Sequence, residues 1–284
     1  MPTGFQAFKE DGSLLFDADL IQYGLIKSGY LTQTEWWYWW HYRSEGLDPN
    51  DPNSWARETI GHSPIWTISV DGATAPICFL AGDNVSVGSS KSGTTTTFYF
   101  ASVRNNPKVY IFDLMQDLGG RTGMQIFNAS GTLTFTTDMP GLNIINTITA
   151  PAPTGGTSWN GNVYYASVYG SGSTNEKISY YVSQSREQGR NWDHSYSPVQ
   201  DKNGADEVAV RLTFSRAFGH VNRGSSVSAM DGCTGGTSPR FMAVMSATSL
   251  NGFTTEGPAW VDIPTSRYPV MQMIDTSHYP FPFR

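Results

Sequence analysis

Residues 4–19 read G-F-Q-A-F-K-E-D-G-S-L-L-F-D-A-D, and residues 123–138 read G-M-Q-I-F-N-A-S-G-T-L-T-F-T-T-D. Seven positions agree without a gap: Gly4 with Gly123, Gln6 with Gln125, Phe8 with Phe127, Gly12 with Gly131, Leu14 with Leu133, Phe16 with Phe135 and Asp19 with Asp138. Each pair is 119 residues apart (4 to 123). In both copies an aromatic segment is followed by a polar link ending in glycine, then by a second apolar segment. Lys9-Glu10-Asp11-Gly12 carries the Asp-Gly turn signal, and Asn128-Ala129-Ser130-Gly131 fills the same place. The glycine supplies the positive φ that such a turn needs. Each copy therefore opens with a β-hairpin. The chain reads as all-β, with two tandem antiparallel, sandwich-like modules arising from an internal duplication.

Fainter echoes lie downstream. Phe98-Tyr-Phe-Ala-Ser and Phe241-Met-Ala-Val-Met both read as strands, and Pro107–Asp113 and Pro269–Asp275 both read as the closing strand of a module. The spacing grows from 119 to 162 residues (107 to 269), as insertions in the second copy would produce. The modules are placed at 1–120 and 121–284, with the insertion near 150–207, which begins A-P-A-P-T-G-G-T. Strands are expected near 30–43, 65–70, 76–80, 94–103 and 108–114. In the second module they are expected near 143–149, 162–169, 178–183, 208–214, 241–248, 259–263 and 270–275. Val208, Val210 and Leu212 alternate as a half-buried strand requires. Short helical turns are expected near 18–27, and the Arg-Asn-Trp-Asp-His-Ser-Tyr-Ser-Pro stretch ending at Pro198 reads as a polar loop.

Composition supports this class. Charged residues are only 15% of the chain, while glycine (29) and proline (16) are plentiful, a mixture suited to short strands and turns. The net charge is −6, with no basic run, so no nucleic-acid partner is expected. No apolar run reaches the ~20 residues of a spanning helix, and no secretory leader is read at the N-terminus. Cys78 and Cys233 read as buried thiols rather than as a disulfide or a zinc site.

The hairpin pattern G-[FM]-Q-x-F-x-x-x-G-[ST]-L-x-F resembles the small β-modules of tail-tip and baseplate-associated proteins of siphophages, with the nearest likeness to Mu-like transposable phages of Pseudomonas. The closing strand Val270–Asp275 with its aromatic tail is similar to the way those proteins end. The likeness covers the two hairpins and the closing strand, about a fifth of the chain. It implies a non-enzymatic virion component, assembled in the host cytoplasm, that contacts other tail proteins. If the chain touches a host, the likeness points to a bacterial surface structure such as a pilus or an envelope glycan as its receptor. A homotrimer of two-module chains would present six near-equivalent units to a six-fold tail tube.

Chemistry-bearing residues are sparse. Asp193-His194-Ser195 has the residue types of a catalytic triad, but neighbours on an extended chain point to opposite faces. The five histidines lie too far apart for a local metal site, and no cofactor is expected. The loops Asp48–Asn53 and Asp201–Glu207 offer clustered oxygens to calcium, though Asp and Asn are also the usual turn formers. The remaining candidate is E-W-W-Y-W-W-H-Y-R, residues 35–43. On a strand, Trp36, Tyr38, Trp40 and Tyr42 face one way, and Trp37 and Trp39 face the other. Both faces being aromatic, one row suits a module core and the other an interface, where Trp and Tyr are enriched. Wholly internal packing and an exposed glycan or receptor contact are the competing readings. A carbohydrate-binding or carbohydrate-cleaving β-protein is accordingly the alternative function.

Overall fold

The computed structural model describes residues 6–8, 10, 12, 14–17, 20–42, 48, 51–101, 103–104, 106–120, 123–159, 162–170, 174–180, 190–198, 201–222, 225–245 and 260–284. The first half contains β1 (Gln6–Phe8), β2 (Leu14–Asp17), β3 (Tyr23–Tyr30), β4 (Thr32–Tyr42), β5 (Trp55–Asp71), β6 (Ile77–Ala81), β7 (Asp83–Ser92), β8 (Thr95–Ala101) and β9 (Lys108–Leu114). The second half begins with β10 (Gln125–Phe127), β11 (Leu133–Thr136), β12 (Asn146–Thr149), β13 (Thr157–Trp159), β14 (Asn162–Tyr165), β15 (Thr174–Tyr180) and β16 (Arg190–Pro198). It continues with β17 (Val208–Leu212), β18 (Ala217–Asn222), β19 (Ser225–Thr234), β20 (Arg240–Met245), β21 (Trp260–Val261) and β22 (Val270–Asp275). Among the described residues the helical elements are two single turns, Pro52–Ser54 and Thr276–His278. The protein is all-β and antiparallel.

Three sequence expectations are corrected. Helical turns were expected over 18–27, but Tyr23 opens β3, because β9 offers this segment a partner along its whole length. The expected polar loop at 190–198 is β16, held between β15 and β20. The serine- and glycine-rich segments of β7 and β19 were not expected as strands at all.

The two hairpins share one register. Gln6, Ala7 and Phe8 face Asp17, Phe16 and Leu14, with a register shift between Ala7 and Phe8. Gln125, Ile126 and Phe127 face Thr136, Phe135 and Leu133, with the shift in the same place. Gly12 and Gly131 adopt φ of +80° and +79°. An added Cβ would meet nothing at either site, so conformation rather than space selects glycine there.

Two large sheets follow. The first has the order β12-β22-β17-β6-β9-β3, and the second runs β13-β14-β21-β18-β19-β7-β8-β5-β4, with β20, β16 and β15 added beside β19. The pairing scheme recurs between halves. In the first, β9 lies between β3 and β6, and β5 and β8 link β4 to β7. In the second, β22 lies between β12 and β17, and β16 and β20 link β15 to β19. The register recurs too. Lys27 faces Ile111, and Asn146, 119 residues after Lys27, faces Met273, 162 residues after Ile111. Among the described residues, strands β13, β14, β18 and β21 have no counterpart in the first half. They pair with one another and extend the second sheet from β19.

Pairing also crosses the division expected near residue 120. Val210 of β17 faces Leu80 of β6, and Cys233 and Thr234 of β19 face Asn84 and Asp83 of β7. Gly235 lies where these four strands meet. A Cβ there would stand 2.3 Å from the Leu80 carbonyl oxygen and 2.8 Å from that of Val208. Between the sheets, the first half buries Leu80, Val109 and Ile111 against Ile68, Phe98 and Phe100. The second buries Val208, Val210, Met271 and Met273 against Phe218, Phe241 and Trp260.

The six-stranded sheet is strongly curled. The Leu142 N–H bonds to the Tyr23 carbonyl of β3, and the Ile145 N–H bonds to the Met273 carbonyl of β22. Three residues span only about 10 Å, whereas strands four places apart in a flat sheet are about 19 Å apart. The concave face holds Leu25, Phe79, Tyr110, Phe112, Ala209 and Ile274, and the C-terminal tail packs onto it through Tyr279, Phe281 and Phe283. The Tyr279 hydroxyl donates to the Gly141 carbonyl (3.1 Å) and accepts from the Asn143 N–H (2.8 Å).

Candidate functional site

The aromatic stretch forms most of β4, the terminal strand of the second sheet. It pairs with β5 and also lies alongside β19 of the second half. Trp36 is half-buried, while Trp37 is 37% exposed. The Trp37 ring lies 5.4 Å from the Tyr99 ring, and its indole N–H donates to the Glu35 carboxylate. The Tyr99 hydroxyl is 2.9 Å from Ser90 Oγ. Tyr99 packs in turn against a buried cluster of Ile65, Val85, Ala101, Met242 and Val244, to which both halves contribute. The described part of the stretch thus borders a contact between the halves. The side chains of Tyr38, Trp39, Trp40 and Tyr42 lie outside the described residues. Their backbone continues β4, but the register breaks between Tyr38 and Trp40, so one in-and-out alternation does not run through the stretch.

A second feature sits at the junction. A cleft of about 440 Å³ opens between β6, β7, β8 and β17, with Cys78, Ser86, Phe98, Phe100, Arg211 and Met230 in its wall. The Arg211 guanidinium lies 5.9 Å from the Phe79 ring centre. Burial pulls its pKa below the ordinary guanidinium value. Burial also pushes the Cys78 thiol up, and Cys233 up to about 12, which keeps both thiols protonated and unreactive at neutral pH.

The strongest electrostatic group is structural. Asp231, fully buried on β19, accepts from Arg216 Nε (2.8 Å), from the Arg216 backbone N–H (2.9 Å) and from the Tyr169 hydroxyl (2.6 Å). Arg216 Nη2 reaches its second oxygen at 3.1 Å. Burial and the neighbouring Asp231 charge hold the Tyr169 hydroxyl well above its usual pKa. Every oxygen of this carboxylate is engaged, so the trio anchors strands and offers no free base. His220 is buried edge-on against Trp260 at 4.6 Å, and burial lowers its pKa to about 3.

The other sequence candidates do not converge. Asp193, His194 and Ser195 are consecutive on β16, and their side chains lie outside the described residues. Asp51 and Asp201 each accept the backbone N–H of the residue two positions on, the ordinary turn use of an aspartate. Glu207 is bound by Lys108 of β9 at 2.8 Å. Among the described residues, no three His, Cys, Asp or Glu side chains gather as a metal site would require.

Compared with protein-family models, curated proteins and solved structures, the chain matches none of them. The site must therefore be read from its own geometry. Sequence reasoning missed the Arg216–Asp231 pair and the Arg211 cleft, since both join residues from different strands and neither has a local pattern. The Cys233-Thr-Gly-Gly236 run was the one available hint of a close backbone approach.

Proposed function

We propose that this protein is a structural component of a bacteriophage tail tip or baseplate that contributes to host attachment. The observation that carries the reading is the pair of hairpins, which bear G-x-Q-x-F-x-x-x-G-x-L-x-F and share one register with the same irregularity. The recurrence of six strand pairings supports an internal duplication of one module. A trimer of such chains offers six near-equivalent units to a hexameric tail tube, and other tail proteins are its first partners. A bacterial surface structure, such as a pilus or an envelope glycan, would be met by the added strands of the second half, since binding residues concentrate in inserted segments on a rigid frame. No catalytic step is assigned.

The test is the composition of purified particles. The chain should be present in virions, at the tail end by labelling, in a copy number divisible by three. Absence from particles overturns the assignment.

One observation favours the carbohydrate alternative. Trp37 presents a partly exposed ring beside a carboxylate and the Tyr99 and Ser90 hydroxyls, the kind of surface on which a sugar stacks. Retention on a glycan column that is lost in Trp37→Ala would support that reading.

A further inference from the structure

The two halves pair along short seams and then part. In the six-stranded sheet, β6 and β17 are paired at Leu80 and Val210. In the second sheet, β7 meets β19 at Asp83 and Asn84, while Met230 of β19 already pairs with Ala217 of β18. The antiparallel strands leave a gap beyond each seam, and both gaps border the cleft of about 440 Å³. Cys78 and Arg211 line it beside the first seam, Ser86 and Met230 beside the second. Phe98 and Phe100 complete an apolar wall. The volume is that of a small-molecule site, and a few polar groups among apolar ones is the usual make-up of such a site.

Arg211 brings a positive charge to this wall, and among the described residues lining the cleft none is acidic. Arg104, Lys108 and Arg216 each have a carboxylate, supplied by Asp83, Glu207 and Asp231. Arg211 differs from them. It is half-buried, its guanidinium lies 5.9 Å from the Phe79 ring centre, and burial is the main influence on its charge. The groups that act against that influence are Cys78, Tyr23 and Cys233, and none of them is a carboxylate. The fold does not demand a cation here. Phe79 faces Tyr110, and Arg211 faces Gln272, 162 residues after Tyr110, so the repeat sets Arg211 in the place of Phe79. Phe79 is fully buried. The second half thus carries a charged side chain where the first carries an apolar one.

We infer that this cleft binds a small organic monocarboxylate, with Arg211 taking the carboxylate and Phe98, Phe100 and Met230 covering its apolar body. A guanidinium drawn partly out of water is costly without a counter-charge. A bound carboxylate supplies that charge through two parallel N–H···O bonds, the geometry to which the planar guanidinium is suited. One cation matches one negative charge, and the aromatic and thioether groups favour a compact apolar remainder over a strongly hydrated one. Residues of both halves line the site, so the ligand bridges the seam. The inference goes beyond the tail assignment and does not depend on it, since it is a property of the isolated chain.

The test is calorimetric titration of the purified full chain with benzoate, and with benzamide as its uncharged counterpart. Wild type should bind benzoate saturably, and benzamide at least roughly tenfold more weakly, as loss of a charge-assisted pair implies. Arg211→Gln should bind benzoate no better than benzamide. Ser86→Trp, at an exposed position of the opposite wall, should weaken both by obstructing the cleft without touching the charge. Benzoate should also raise the melting temperature of wild type and leave that of Arg211→Gln unchanged. Because Arg211 has no carboxylate to lose, Arg211→Gln should fold, and circular dichroism checks this. Wild type that shows no saturable benzoate binding, benzamide that binds as well as benzoate, or benzoate binding that either variant retains overturns the inference. Virion incorporation is read separately, so failure here leaves the tail assignment standing on its own test.

Discussion

Leu80 of β6 faces Val210 of β17 across the junction of the six-stranded sheet. Leu80 belongs to the first half's core and Val210 to the second's, and both are buried to 1% exposure or less. This contact couples the two cores, because neither residue can move without opening space in both.

Leu80→Ala should therefore lower the stability of the whole chain by about 2–5 kcal/mol, the usual cost of such a truncation. Denaturant unfolding should remain a single transition, with fluorescence and circular dichroism coincident. Two separated transitions would show that the halves unfold independently.

Gly235→Ala is expected to cost about 1–3 kcal/mol, as overpacking does, since the new methyl group meets two backbone carbonyls that cannot rotate away. Gly236→Ala isolates a different cause. Its Cβ would meet nothing, but its φ of +98° strains any other residue. Comparing the two by thermal melting separates crowding from conformation. Equal tolerance of Gly235→Ala and an exposed-loop control would falsify the close approach.

Asp231→Ala leaves the Arg216 guanidinium buried without its carboxylate and should cost about 3–5 kcal/mol. Tyr169→Phe keeps the ion pair and removes one hydrogen bond, for about 1 kcal/mol. A reversed order in urea titrations would mean that the hydroxyl, not the ion pair, holds this part of β19.

His220 gives the fold a pH dependence of definite sign. Its folded pKa is about 3, against roughly 6.5 unfolded. Between these values the unfolded chain takes up a proton that the folded one refuses. Stability is complete above the unfolded pKa and falls as pH drops towards 3, by up to ~1.4 kcal/mol per pH unit. His220→Phe should flatten the stability profile between pH 6.5 and 3. An unchanged slope would assign the acid sensitivity to other groups.

Trp37→Ala loses the Tyr99 ring contact and the bond to Glu35. Because Trp37 is partly exposed, the cost should be only about 0.5–1.5 kcal/mol. A cost as large as that of Leu80→Ala would place the ring in the core rather than at its margin.

The hairpins were legible because their information is local. A turn glycine between apolar segments specifies its own register, and the 119-residue spacing carried that reading to the second copy. β9 and β22 were legible for a similar reason: their apolar runs are long enough to be recognised alone. β3, β7, β16 and β19 were not. β7 reads D-N-V-S-V-G-S-S-K-S, too polar to announce a strand, and becomes one because β8 supplies hydrogen-bond partners along it. Of the candidate aromatic stretch, the existence of a strand was legible. Its partners were not, since Tyr99 and the shared cluster beneath it come from strands far away in the chain.

The sequence by itself determined an all-β chain, two hairpins of one design and the spacing that relates them, all consequences of turn chemistry and short-range alternation. Only the tertiary structure decided that the halves share both large sheets and that the second hairpin packs against the core of the first half. Those outcomes depend on which strand edges meet, and long-range pairing leaves no pattern in either partner alone.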